Sequence, residues 1–368
     1  MEQNLDFIAK AFDIDGEIIS HEKISNGLIN LTYDVTVSNN GKENRYIFQC
    51  INPTVFKNPV QIMENIKKIT EHISAKLEAE GKSRDRVMHF LSRKDGTSYY
   101  ENGEQFWRIS EYVPNSIAYN SCDNLEHLCS AGKAFGEFQT MLSDFDASVL
   151  FETIPNFHNT RHRIETLMTH VKEDPMGRVC EVESEIQKIR NYRRFAERLN
   201  ELLDEKFIPL RVTHNDTKIN NVLFDKDTGE AKTVIDLDTV MPGLVAHDFG
   251  DAIRSAASTT SEDAENNLTV RLDVERFSAF AEGFIGSVAG SLTHTEIRTL
   301  ALGAFTMALE LSSRFLDDYI TGDKYFTPKY EGHNLVRART QLALAEDIYI
   351  KIPLLNSIVE EIYAKYAN

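Results

Sequence analysis

The sequence predicts an α+β fold of two lobes, a small antiparallel β-rich lobe followed by a mostly helical one. Up to Pro114, short runs rich in β-branched and aromatic residues are broken by Gly and Asn, with one helical stretch inserted. Beyond Pro114, apolar residues recur at helical spacing over most of the chain, apart from a small β insertion within 212–240. The 368 residues therefore divide into 1–114 and 115–368, joined by a short hinge near 114–121.

The elements follow in order. Leu5, Ile8, Ala9 and Phe12 share one face of a short helix over 5–13. EIISHEKI (17–24), NLTYDVTVS (30–38) and RYIFQCI (45–51) read as strands, broken by SNG (25–27) and NNGKEN (39–44). Residues 59–80 place Ile62, Ile66, Ile69 and Ile73 at helical spacing, with Pro59 at the start. RVMHFL, TSYY and QFWRISEYV add three strands before Pro114. Helices are predicted over 123–144, over 181–206 as one long charged helix, and over most of 274–320 and 336–367.

The charge balance narrows the function. With 57 acidic against 40 basic residues the net charge is −17, which argues against a nucleic-acid partner. An anionic ligand is still allowed, because a bound Mg²⁺ inverts the local field. Cys50, Cys122, Cys129 and Cys180 show no C-x-x-C spacing and read as reduced thiols. The acidic N-terminus does not resemble a signal peptide, and no apolar run reaches the ~20 residues that cross a bilayer. A cytoplasmic protein without a membrane partner is expected; nothing in the sequence bears on its oligomeric state.

The chemistry concentrates at VTHNDTKINNVLFDKDTGEAKTVIDLDTV (212–240). His214, Asp216 and Asn221 form H-x-D-x-x-x-x-N, and fifteen residues past Asn221 an apolar strand ends at Asp236. Phosphoryl transfer needs a carboxylate to orient the attacking hydroxyl and oxygen ligands for Mg²⁺ on the donor phosphates. Asp216 suits the first role; Asn221 and Asp236 suit the second. Lys218 is placed to reach the transferred phosphate, and His214 to fix the loop by hydrogen bonds. The plain alternative is a solvated polar turn. It explains neither the flanking apolar strands nor the β-rich lobe upstream.

These residues resemble the aminoglycoside phosphotransferase-like branch of the protein-kinase-like fold, which includes choline, homoserine and several sugar kinases. Within that branch, RYIFQCIN (45–52), RVTHNDTKINN (211–221), IDLDTVMPG (235–243), DFGDAIR (248–254), RFLDDYITGDKYF (314–326) and EGHNLVRARTQ (331–341) are similar to N-acetylhexosamine 1-kinases. The resemblance implies a bilobal kinase fold, ATP–Mg²⁺ as donor, and transfer to the anomeric hydroxyl of GlcNAc or GalNAc. It implies Asp216 as base and Asn221 and Asp236 as metal ligands. It also implies an acceptor site drawing on Arg314 and Tyr325, with Asp216 and Asp238 beside them. Taken without it, an arginine before two aspartates more often forms a structural ion pair. Same-fold alternatives are a choline, homoserine or aminoglycoside kinase; a different class is a non-catalytic nucleotide-binding protein.

DFG at 248–250 is a decoy. Asp248 lies 32 residues past Asp216, whereas Asp236 lies 20 past it and ends a strand. Asp248 and Asp251 are expected to brace the loop through backbone N–H groups or Arg254.

On the nucleotide side, ISNGLINLTYDV (24–35) is the expected phosphate cover, with Asn30 and Thr32 as polar contacts, although turn chemistry explains both nearly as well. Glu111 and Val113 mark the inter-lobe hinge, where backbone groups can meet adenine; Tyr112 or Val113 fits a strand core equally. Gln49 occupies the third-strand position where most kinases of this fold carry lysine, as it does in N-acetylhexosamine 1-kinases. Phosphate neutralisation is then expected to rest on Mg²⁺. Glu64 fits either a hydrogen bond to Gln49 or a solvated helix face. Leu28 stands where the family also uses histidine and cannot bond a sugar hydroxyl. His158 and His162, four apart, have metal-ligand spacing but lack the H-E-x-x-H context, so solvated side chains are the plainer reading.

Overall fold

A computed structural model describes residues 5–24, 30–53 and 55–367. Helix α1 (Leu5–Ala11) precedes β1 (Glu17–Ile24), β2 (Leu31–Asn39) and β3 (Lys42–Ile51); then come α2 (Pro59–Ala79), β4 (Tyr100–Glu101) and β5 (Phe106–Glu111). The five strands form one antiparallel sheet in the order β1-β2-β3-β5-β4. Its alternation sorts two faces. Val35, Val37, Phe48, Trp107 and Ile109 pack with Leu5, Ile8 and Phe12 of α1. Thr32, Gln49 and Arg108, in register with one another, face the other way. RVMHFL is not a strand: it opens as a 3₁₀ turn and meets β5 at a single bridge, Phe90 to Ser110. The expected turn over 25–29, including Leu28, lies outside the described residues.

Helix α2 buries Ile62, Ile66, Ile69, Ile73 and Leu77 along one stripe. Asn65 is buried on the same stripe and is fully used. Its Nδ2 donates to the carbonyls of Phe151 (2.8 Å) and Val240 (3.0 Å), and its Oδ1 accepts from the Phe151 N–H (2.9 Å). One amide thus ties the helix to the segments after 114.

The second region runs β6 (Ser116–Ala118), α3 (Leu125–Met141), α4 (Thr160–Glu173), α5 (Glu183–Ala196) and α6 (Arg198–Asp204). The expected single helix over 181–206 is therefore two, divided at Glu197, with no Gly or Pro to mark the break. Next come β7 (Arg211–Thr213), β8 (Val222–Asp225), β9 (Ala231–Val234) and β10 (Met241–Gly243). β8 and β9 form a hairpin beside β6, while β7 pairs with β10. The short run at 222–225 is a strand that the sequence reading did not separate from the polar loop. Helices α7 (Val245–Ala256), α8 (Val274–Val288), α9 (His294–Arg298), α10 (Leu300–Thr321) and α11 (His333–Tyr366) complete the chain.

Their core centres on Phe249, Phe277, Phe280 and Phe284, whose rings meet largely edge to face. Two glycines set how closely α7 approaches α10. A Cβ on Gly250 would meet the Gly303 carbonyl oxygen at 2.3 Å, and one on Gly303 would meet that of Ala246 at 2.0 Å. The backbones touch directly, which fixes the α7 side chains against those of α10. No helix among the described residues is long and apolar enough to cross a membrane.

Candidate active site

The loop between β7 and β8 carries His214 to Asn221, and its shape is over-determined. Asn215 sits in the left-handed region (φ 63°), which asparagine tolerates better than most residues. Its amide holds that shape by donating to the carbonyls of Thr213 (3.2 Å) and Thr239 (2.9 Å). From α7, Asp248 accepts the backbone N–H groups of His214 (2.8 Å) and Asn215 (2.7 Å). Asp251 pairs with Arg254 at 2.7 Å. The DFG triplet is thus part of a helix and braces the loop, as its spacing suggested. The wholly buried His214 donates from Nε2 to the Ile235 carbonyl (2.8 Å), so Nδ1 accepts from the Asp216 N–H (3.2 Å).

This frame aims Asp216. Its carboxylate takes Nζ of Lys218 at 2.7 Å and Nδ2 of Asn221 at 3.1 Å, and its side chain keeps 27% of its surface exposed. Surrounding protein pushes the carboxyl up, but the Lys218 ammonium pulls it further down, and it ends below its ordinary value. Asp216 correspondingly holds the Lys218 ammonium above its usual range despite desolvation.

Asn221 and Asp236 are brought together by the backbone: the Asn221 carbonyl accepts from the N–H of Ile235 at 2.9 Å. The Asn221 amide nitrogen is spent on Asp216, which leaves its Oδ1 to another partner. Asp236 also lies in the left-handed region (φ 60°), and its side chain is exposed although protein crowds it. That crowding, with Asp238 and Asp216 close by, pushes its carboxyl up to about 7. Two hard oxygen donors in a field short of positive charge suit Mg²⁺, which usually takes only one or two protein carboxylates. Asp238 stands apart from this pair. It is buried, and both its oxygens are spent within the chain, one on Nδ2 of Asn30 (2.7 Å) and the other on Nη1 of Arg108. Expected beside the acceptor, it instead clasps two segments of the N-terminal sheet.

The other expected contacts divide. Thr32, Gln49 and Arg108 form one chain of hydrogen bonds: Gln49 donates to Thr32 (3.3 Å) and accepts from Nε of Arg108 (3.0 Å). Glu64 is exposed on α2 and takes no part. Glu111 gives its N–H to the His89 carbonyl (2.9 Å) and its carboxylate to Arg84 (3.0 Å). The Val113 carbonyl accepts from Ser116 Oγ (2.6 Å), while no group among the described residues accepts the Val113 N–H.

Arg314 and Tyr325 do meet. The Arg314 guanidinium lies 5.2–5.8 Å from the rings of Phe157, Tyr325 and Phe326, and no carboxylate pairs with it among the described residues. The ion pair expected of an arginine before two aspartates is absent because both acids are taken. Asp317 meets His170 at 2.6 Å, and Asp318 accepts the N–H groups of Lys324, Tyr325 and Phe326 at 2.8–2.9 Å. Asp318 thus shapes the loop that presents Tyr325, which is 61% exposed.

His158 connects this wall to the floor. It precedes α4 rather than lying on it, and bridges the Asn215 carbonyl (3.0 Å) and the Glu310 carboxylate (2.9 Å). Both partners accept, so the ring donates twice. Burial opposes the Glu310 charge, yet His158 and the neighbouring cations bring its carboxyl down to about 2. The zinc spacing of His158 and His162 has no structural counterpart: among the described residues no three His, Cys, Asp or Glu side chains are grouped to hold a metal.

The family model described as "Phosphotransferase enzyme family" (APH) matches residues 20–275. The chain belongs to this family. Solved structures similar to the phosphotransferase include an aminoglycoside phosphotransferase from Alicyclobacillus acidocaldarius subsp. acidocaldarius DSM 446, at 15% identity and TM-score 0.63, covering 94% of each chain. A microcompartment-associated aminopropanol kinase matches at 15% identity and TM-score 0.60, covering 95% of this chain and 99% of its own. A choline kinase from Cryptosporidium parvum Iowa II matches at 15% identity and TM-score 0.57, covering 97% and 100%. At such identities the likeness is one of fold: a protein-kinase-like α+β architecture.

Proposed function

We propose that this phosphotransferase moves the γ-phosphoryl group of ATP to the anomeric hydroxyl of an N-acetylhexosamine, GlcNAc or GalNAc. The observation that carries the acceptor class is the unpaired Arg314 guanidinium among Phe157, Tyr325 and Phe326. Aromatic faces of this kind would receive a quaternary ammonium in a choline site. Here they are already occupied by a cation. A second one, Arg163, stands near: burial and the Arg314 charge push its guanidinium down from its usual range. Choline or a polycationic aminoglycoside would be repelled, whereas a neutral sugar offers hydroxyl oxygens to the guanidinium and a ring face to the open Tyr325.

In the step itself, Asp216 accepts a hydrogen bond from the sugar 1-hydroxyl, whose oxygen attacks the γ-phosphorus. The bond from that phosphorus to the ADP oxygen breaks, ADP takes the electron pair, and the hydroxyl proton passes to Asp216. An anomeric hydroxyl is more acidic than an ordinary alcohol, so a carboxylate held below its usual pKa suffices as base. Lys218 sits beside Asp216 with its charge secured and meets the negative charge developing on the phosphoryl oxygens. Mg²⁺, held by Asn221 and Asp236, would neutralise the donor phosphates. Positioning and charge placement then supply most of the acceleration.

The test is an ATP-consumption screen over GlcNAc, GalNAc, glucose, choline, homoserine and an aminoglycoside, with and without Mg²⁺. Turnover is expected with the N-acetylhexosamines, only with Mg²⁺, and not with their 1-O-methyl glycosides. Turnover of the methyl glycosides would move the reaction off the anomeric oxygen. Preference for choline or the aminoglycoside would overturn the acceptor class.

A further inference from the structure

Gln49 leaves the N-terminal sheet without a cation at the third-strand position, yet one stands directly across the ladder. Register pairs Gln49 of β3 with Arg108 of β5, and the two side chains bond at 3.0 Å. Arg108 is 1% exposed, carried on the sheet face opposite the α1 core. A buried guanidinium in a strand is costly unless its charge is used. Its Nη1 goes to Asp238, two residues past the carboxylate suited to the metal, and the Phe90 ring lies 5.4 Å from its centre. No group among the described residues accepts from Nη2. The charges of Arg108 and Lys218 both act on Asp236, and of these two Arg108 comes from the N-terminal sheet.

We propose that Arg108 supplies, from β5, the cationic contact to the donor's phosphates that Gln49 cannot supply from β3, with Asp238 and Gln49 holding the guanidinium in place. This rests on the reading of the donor as a nucleotide. Asp238 then has a reason to be an acid that binds no acceptor: it holds the guanidinium fixed at the floor. Asn30, on the other oxygen of Asp238, ties the start of β2 to the same point.

Calorimetry with Mg²⁺–ADP, and ligand-detected NMR with adenosine, separate a phosphate contact from support of the fold. Arg108→Gln is expected to weaken ADP about 10- to 100-fold, the worth of one hydrogen bond to a charged group, and to leave adenosine unchanged. Returning the cation to the neighbouring strand, in Arg108→Gln with Gln49→Lys, is expected to recover most of the ADP affinity. Equal losses for ADP and adenosine, or no loss for either, would overturn the assignment. Should Arg108→Gln not fold, Arg108→Lys keeps the pair with Asp238 but not the fork; it must still shift ADP severalfold and spare adenosine. Wild-type protein that binds neither ligand would instead remove the nucleotide reading on which the proposal stands.

Discussion

The floor around Asp216 comes from a single run of chain, 213–240, whereas the wall around Arg314 is drawn from three, 157–163, 310–318 and 323–326. Their electrostatics differ in the same measure. On the floor, carboxylates outnumber cations, and Asp236 is driven up to about 7 by the protein crowding it and then by its acidic neighbours. On the wall, Arg314 lies against aromatic rings with no carboxylate pair among the described residues, and Arg163 stands nearby. An acidic floor is suited to a cation carrying phosphates, and a guanidinium without a carboxylate partner to a neutral acceptor. Selectivity and chemistry are therefore separable by mutation.

The largest effect is expected on the floor. Asp216→Asn keeps the shape and the bond to Asn221 but removes the proton acceptor. Turnover should fall about 10²–10⁴-fold, the usual worth of a positioned acid–base group, while Mg²⁺–ADP binding persists. Near-wild-type turnover would mean that Asp216 is not the base. A smaller, different effect is expected on the wall. Arg314→Met keeps the packing against Phe157 but loses the guanidinium, so the acceptor KM should rise about 10- to 100-fold with the ATP KM unchanged. The same variant should discriminate less against choline. If instead ATP and sugar suffered alike, floor and wall would be one cooperative unit and the division would fail.

The contrast also explains what the sequence disclosed. H-x-D-x-x-x-x-N followed by Asp236 was readable because the floor lies within one short stretch, and local chain geometry assembles it, although the strand expected to end at Asp236 stops at Val234. The brace from Asp248 was readable for the same reason. His158 was not: its value lies in bridging Asn215 and Glu310, 57 and 152 residues away, and a lone histidine before a helix carries no such signal. Asp318 looked like half of an ion pair with Arg314 until the loop at 323–326 was seen to claim its carboxylate. Arg108 carried no signal in the sequence, where QFWRISEYV reads only as a strand before Pro114. In the fold both faces of β5 are covered, and Phe106 to Ser110 are all buried. The signal that would have found it is the ladder partner of Gln49, which needs the register. The break at Glu197 had no mark, since neither neighbour is Gly or Pro; packing of two short amphipathic helices overrode a continuous charged pattern.

The strut between floor and wall offers the gentlest test, through pH. His247 on α7 is fully enclosed, with its ring 5.6 Å from that of His158. Burial first, then the charge of His158, bring its pKa down to about 4, against the pull of Glu310. A histidine lowered in the folded state binds its proton more readily when unfolded. Its contribution is therefore complete above the unfolded value near 6.5 and declines as pH falls toward 4. Glu310, held near 2 in the fold, adds its own loss only as pH falls toward its unfolded value near 4.5, below pH 5.5. Between pH 7.5 and 5.5 the loss should be about 1 kcal/mol, read as a fall in the denaturant midpoint. His247→Phe fills the same space without titrating and should shed that part of the slope, with turnover at pH 7.5 little changed. If its slope matched the wild type, the enclosed ring would not titrate in isolation from solvent.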